Sequence, residues 1–129
     1  GQPEIQLAVF APAASCLLPE LIGPAAASDL LLSGRTISGI EAQACGLVSA
    51  LDDDPAALAL AYFDRHLAPR SAASLRLATR ALRADLASRV RIRLAAVEKL
   101  YLDELMTSHD AVEGLEAFLQ KRAPQWQHR

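Results

Sequence analysis

The chain has 129 residues, 52% apolar and 22% charged, with a formal net charge of -2. That length suits one compact domain rather than two. The weak negative charge argues against general nucleic-acid binding, which rests on a positive field, and no uninterrupted apolar run approaches membrane-spanning length. The slight apolar excess points to a well-filled core, a large subunit interface, or a surface left bare by an absent partner segment. No basic stretch followed by an apolar run opens the chain, so no secretory signal is expected and cytoplasm is the expected compartment. The first residue is Gly rather than Met, which suggests a chain that was cut.

In chain order, residues 4–10 alternate between apolar and other side chains and predict a short extended segment after Pro3. Ala11-Pro12-Ala13-Ala14-Ser15 is a turn. Leu17, Leu18, Leu21 and Ile22 recur at helical spacing until Gly23-Pro24 stops them. Residues 25–33 predict a second helix with Gly34 as its C-terminal cap. Ser38-x-x-Glu41 is a capping-box pattern and opens a short helix that Gly46 ends. Residues 47–51 predict a strand or extended edge.

Asp52-Asp53-Asp54-Pro55 changes the character of the chain, because acidic residues and proline suit a helix start. From there to the end nearly everything reads as helix: 56–67, closed by Pro69; 71–86; 88–107; and a last helix from Asp110-x-x-Glu113 to near Lys121. Val90, Leu94, Val97, Tyr101 and Leu105 step by helical intervals and share one face, on which Tyr101 reads as core. His109-Asp110 reads as a cap for the last helix. The boundary near Asp52 separates residues 1–51 from residues 52–129.

Few side chains announce chemistry. Cys16 and Cys45 each lie in an apolar stretch and read as buried free thiols rather than a disulfide. His66, His109 and His128 are far apart and share no metal-ligand spacing with the cysteines, so no metal site is expected. Ser15 has no nearby histidine to activate it. Arg76, Arg80 and Arg83 fall on one helical face, with Arg89, Arg91 and Arg93 following; they read as a solvated charged face or a phosphate-facing patch. Glu4, taken alone, is a solvated turn residue after a proline.

Five segments in order change that reading. Gly1-Gln2-Pro3-Glu4-Ile5 is followed by Leu21-Ile22-Gly23-Pro24-Ala25, then Leu30-Leu31-Leu32-Ser33-Gly34-Arg35-Thr36-Ile37-Ser38, then Glu41-Ala42 with Gly46-Leu47-Val48, and finally Glu113-Gly114-Leu115-Glu116-Ala117-Phe118-Leu119-Gln120-Lys121-Arg122. Each is weak alone. Together they resemble the second half of the enoyl-CoA hydratase/isomerase, or crotonase, superfamily, from residue 1 to Trp126. The resemblance implies a fold that is mostly α with a small β remnant: the C-terminal portion of a crotonase (ClpP/crotonase-like) α/β spiral plus a helical trimerisation region. Residues 1–51 would end the crotonase core and carry the catalytic-glutamate segment. Residues 52–129 would form the oligomerisation and CoA-covering region.

The resemblance also implies a chemistry. Such enzymes bind a CoA thioester with its carbonyl oxygen in a hole of two backbone N–H groups, which stabilise an enolate. Carboxylates move protons or activate water. Glu4 matches the second of two water-holding glutamates in hydratases and is the candidate catalytic residue. The first glutamate and both oxyanion donors fall in sequence preceding Gly1. Phe118 and Lys121 match a Phe-x-x-Lys that touches the CoA nucleotide, an aromatic face for adenine and a compact cation for phosphate; the alternative is a core phenylalanine and a solvated lysine. No cofactor is implied beyond CoA itself, which arrives within the acyl-CoA thioester substrate. The expected partner is a second copy of the chain, in a trimer or a dimer of trimers, and neither nucleic acid nor membrane.

Many hydratases carry a glycine-rich segment where this chain has Ala11-Pro12-Ala13-Ala14-Ser15-Cys16. Pro12 removes a backbone N–H that helps hold the reacting water in those relatives. That variant looks most like the cyclohexa-1,5-diene-1-carbonyl-CoA hydratases of anaerobic aromatic degradation, hydro-lyases that add water to a cyclic dienoyl thioester. The alternatives are a plain enoyl-CoA hydratase or isomerase of fatty-acid metabolism, or an isolated oligomerisation module without catalysis. Without ladder partners, the first fifty or so residues are expected to be rearranged, swapped or dimer-bound.

Overall fold

A computed structural model describes residues 1–129. A 3-10 turn, Pro3–Leu7, precedes helix α1 (Pro12–Ser33) and the short α2 (Gly39–Ala44). Helix α3 (Pro55–Tyr62) runs into a π-helical turn, Phe63–Leu67. The long α4 (Ala72–Asp103) and a 3-10 turn, Leu105–Thr107, lead to α5 (His109–Leu119).

The expected helical character holds, but the expected β remnant does not: there is no strand. A strand must pair its N–H and C=O groups with a neighbour, and here both candidate segments find acceptors within a few residues instead. In the first, Ala8 N–H donates to Ile5 C=O (3.1 Å) and Val9 N–H to Glu4 C=O (3.3 Å). Pro3 opens that turn from its first position, where its fixed φ suits a helical start. In the second, the N–H groups of Leu47 and Val48 both turn back to Ala42 C=O, at 2.8 and 3.4 Å.

The predicted break at Gly23-Pro24 is present as a kink, with Gly23 at φ 79 and ψ 162. The axis resumes through Pro24 and ends at Gly34, which caps it at φ 66 with its N–H on Leu30 C=O (3.1 Å). By length and composition α1 is apolar enough to cross a membrane; it is nevertheless broken mid-way, and its Glu20 and Asp29 both hold arginine partners. The capping box is complete, Ser38 Oγ accepting from Glu41 N–H (3.2 Å) and Glu41 Oε2 from Ser38 N–H (2.9 Å). Asp54 caps α3 through Ala57 N–H (3.0 Å).

Two predicted helices, 71–86 and 88–107, are one. Nothing between Asp85 and Arg89 is Gly or Pro, so the backbone has no reason to stop. Arg89 pairs with Asp85 one turn back and with Glu20 of α1 (2.7 Å), and Arg93 reaches the same Glu20 (3.3 Å). These arginines hold the Glu20 carboxyl below its ordinary range, the Arg89 hydrogen bond most of all. Val90, Leu94, Val97, Tyr101 and Leu105 are all half-buried, and α1 is the main element α4 packs against.

The true core is small: Val9, Cys16, Leu18, Ala27, Leu30, Ala42, Ala111 and Ala117. The apolar excess therefore lies outside it. Leu82, Leu119, Ile40 and Leu32 are each more than 70% exposed.

Candidate active site

Glu4 sits in the 3-10 turn, and that turn is held by two helices. Gln6 Nε2 donates to Gly34 C=O (2.8 Å), tying the turn to the end of α1. Gly34 itself lies so close that a Cβ there would stand 2.8 Å from Ile5 Cγ2. Gly114, in the middle of α5, lies against Leu7; a Cβ there would fall inside the Leu7 carbonyl and 3.2 Å from the Trp126 ring. Ala8 adopts a left-handed conformation (φ 55) that sends the chain from this turn toward α1.

Glu4 Oε2 is buried and has no hydrogen-bond partner, the one buried side-chain N or O atom without one. Glu4 lines a shallow pocket of about 420 Å³ whose walls are mostly apolar. One wall is the start of α1: Ala11, Pro12, Ala13 and Ala14. No side chain caps that helix, and its first internal bond is Ser15 N–H to Ala11 C=O (2.9 Å), so the N–H groups of Ala13 and Ala14 are free of helical acceptors. Pro12 takes the first helical position, where a missing N–H is no loss. The other wall is aromatic. Phe10 and Tyr101 meet edge to face, centroids 5.3 Å apart and planes at 83°. A buried carboxylate oxygen, a helix start and an aromatic wall thus share one pocket. Such a set can hold a water and move its proton.

The last residues brace α5. Glu113 accepts from both Arg122 nitrogens (2.6 and 2.8 Å) and from Gln125 N–H (2.7 Å), and Arg122 chiefly pulls its pKa from 4.5 down to about 2. Asp110 accepts from the N–H groups of Gln127 and His128, both at 2.7 Å, and its carboxyl is lowered mainly by Gln127. Ser108, rather than His109-Asp110, caps the helix through Ala111 N–H (3.3 Å).

Phe118 and Lys121 lie near the end of α5, away from the Glu4 pocket lining. Phe118 is 63% exposed, so it is not a core residue, and Lys121 is exposed with a left-handed backbone (φ 54). Of the arginines, Arg80 and Arg83 line a shallow surface hollow with Thr79, and Arg89 and Arg93 serve the α1–α4 pairing. Cys16 is a buried free thiol; Cys45 is free but only half-buried. No three His, Cys, Asp or Glu side chains converge. Two roles were not foreseen. Gly114 is legible only as an odd residue among good helix formers, and Tyr101, expected in the core, lines the pocket.

The family model for enoyl-CoA hydratase/isomerase matches residues 1–129. The chain belongs to that family. It is 59% identical over its whole length to a protein named cyclohexa-1,5-dienecarbonyl-CoA hydratase from Thauera aromatica. The crystal structure of carnitinyl-CoA hydratase from Mycobacterium avium matches all of the chain with a TM-score of 0.83 at 25% identity. An enoyl-CoA hydratase/isomerase structure from Pseudoalteromonas atlantica matches 96% of it with a TM-score of 0.78 at 31% identity. The chain covers 50%, 51% and 50% of these three proteins, so it spans about half their length. The crotonase fold is therefore shared over that half. The matches include the first fifty residues, so a wholesale rearrangement there is not what the structure has.

Proposed function

We infer that the whole protein to which these residues belong hydrates an unsaturated acyl-CoA thioester, with Glu4 as its acid/base group. The observation that carries this is the buried, unpartnered Oε2 of Glu4, a residue that lines a mostly apolar pocket. Leaving such an atom unsatisfied costs on the order of 1–3 kcal/mol, and a function explains its retention. In the reaction, Glu4 takes a proton from water as the water oxygen bonds to the unsaturated carbon. Electron density moves onto the thioester oxygen, and the resulting enolate takes the proton from Glu4 at carbon, which completes the addition of one water and returns Glu4 to its carboxylate form. Donors for that oxygen, and a second carboxylate, belong to the rest of the protein. CoA enters and leaves as part of the thioester, with no further cofactor.

A cyclic dienoyl thioester is the acyl group we favour. The 59% identity to the Thauera aromatica protein supports it, as does the Ala-Pro-Ala-Ala start of α1. Phe118 and Lys121 are assigned to the CoA nucleotide; their exposure at the end of α5 leaves them free to meet adenine and phosphate. Residues 1–51 supply the catalytic-glutamate segment, and residues 52–129 the assembly and CoA-covering region of a cytoplasmic homo-oligomer built as trimers.

The test is Glu4→Gln in the whole protein, assayed on cyclohexa-1,5-diene-1-carbonyl-CoA and on crotonyl-CoA. The expected loss in kcat is about 10²–10⁴-fold. Turnover within a few-fold of wild type overturns the role of Glu4. Faster hydration of crotonyl-CoA by the wild type identifies a plain enoyl-CoA hydratase instead.

A further inference from the structure

Phe10 faces two spaces at once. On one side is the Glu4 pocket of about 420 Å³. On the other is a mainly apolar cleft of about 430 Å³ between α1 and α4, which Leu31, Val97 and Leu100 also line. Tyr101, the next residue after Leu100, lines only the Glu4 pocket. The Phe10–Tyr101 contact, edge to face with centroids 5.3 Å apart, therefore forms part of the boundary between the two spaces. Edge-to-face aromatic pairs hold a defined geometry. Aliphatic replacements would leave a smaller and more mobile barrier.

We propose that the Phe10–Tyr101 pair is a partition that sets the size of the acyl group, keeping it on the Glu4 side and closing the apolar cleft to an extended chain. This rests on the reading of the site as one for acyl-CoA thioesters. A six-membered ring is compact enough to lie against the aromatic wall beside Glu4. An extended eight-carbon chain reaches farther, and the space behind Phe10 is where it would continue. Tyr101 thus determines specificity by fixing where Phe10 stands.

The test uses the whole protein and three variants: Phe10→Leu, Tyr101→Leu and Tyr101→Phe. Calorimetry measures the affinities of two saturated thioesters, cyclohexanecarboxyl-CoA and octanoyl-CoA. Their ratio is internal to each protein, so a general loss of stability does not imitate the effect. The wild type is expected to prefer the cyclic ester. Phe10→Leu and Tyr101→Leu are expected to shift the ratio toward octanoyl-CoA by about tenfold or more. Tyr101→Phe, which keeps the ring, is expected to retain the wild-type ratio. A wild-type preference for octanoyl-CoA overturns the partition, as does a ratio that stays within about twofold in both leucine variants. Hydration of the corresponding unsaturated thioesters is followed in parallel. If binding ratios shift as expected while the wild type hydrates neither ester, the hydratase reading fails and the partition stands.

Discussion

Glu4 and Glu113 show how differently two carboxylates are treated within one small structure. Glu4 Oε2 is left without a partner in its pocket, whereas Glu113 is saturated by Arg122 and the Gln125 N–H. Saturation has a consequence for pH. The folded chain lowers Glu113 from 4.5 to about 2, so the unfolded chain binds its proton first as pH falls. The stabilising contribution is full above 4.5 and is lost as pH drops toward 2. The chain has a single tryptophan, Trp126, next to Gly114 under the same braced tail. Its fluorescence is therefore expected to report the tail loosening across that range. In Glu113→Gln the transition in that range should shrink, leaving the part carried by Asp110, which holds the same tail through the Gln127 and His128 N–H groups. An unchanged acid transition in that variant would show that Glu113 does not hold the tail.

Among elements, the decisive contact is α5 against the 3-10 turn. Glycine costs about 1 kcal/mol relative to alanine in a helix interior, so Gly114 is a poor choice for α5 taken alone. It is the only residue type that lets the helix touch the Leu7 carbonyl. Gly114→Ala is expected to destabilise the fold by about 1–3 kcal/mol despite its better helix propensity, because the backbone must shift. The turn carrying Glu4 moves with it, so hydration by the whole protein should fall as well. Denaturant unfolding beside an activity assay checks both; a stabilised Gly114→Ala would mean α5 does not approach the turn. Local rules were legible at this scale wherever the bonds are local. The Ser38–Glu41 box, the Asp54 cap, Gly34 and the kink at Gly23 all sit where the residue pattern puts them. Residues 4–10 and 47–51 form turns rather than strands, because an apolar run so short suits a strand and a turn equally. Only a neighbouring strand would have decided for the former.

Taken as a whole, the molecule has few buried residues and many large apolar side chains in the open. Leu82, Leu119, Ile40, Leu32 and Ile92 are each more than 70% exposed, and the large apolar side chains left in the open outnumber the buried ones. Residues 1–129 alone are therefore expected to self-associate, with a sedimentation coefficient that rises with concentration. A single monomeric species at all concentrations would contradict this.

From its residues alone this chain determined its family and its helical character, and offered Glu4 as a candidate carboxylate. Caps, periodicity and ordered motifs are properties of neighbours along the chain, and they survive being read without coordinates. The three-dimensional structure decided what depends on distant partners: that residues 1–129 hold no strand, that α4 is continuous, that Gly114 makes room for Leu7, and that Tyr101 stands with Phe10 at the wall of the Glu4 pocket. The reason is that steric exclusion and the satisfaction of buried polar atoms arise only where segments far apart in sequence meet.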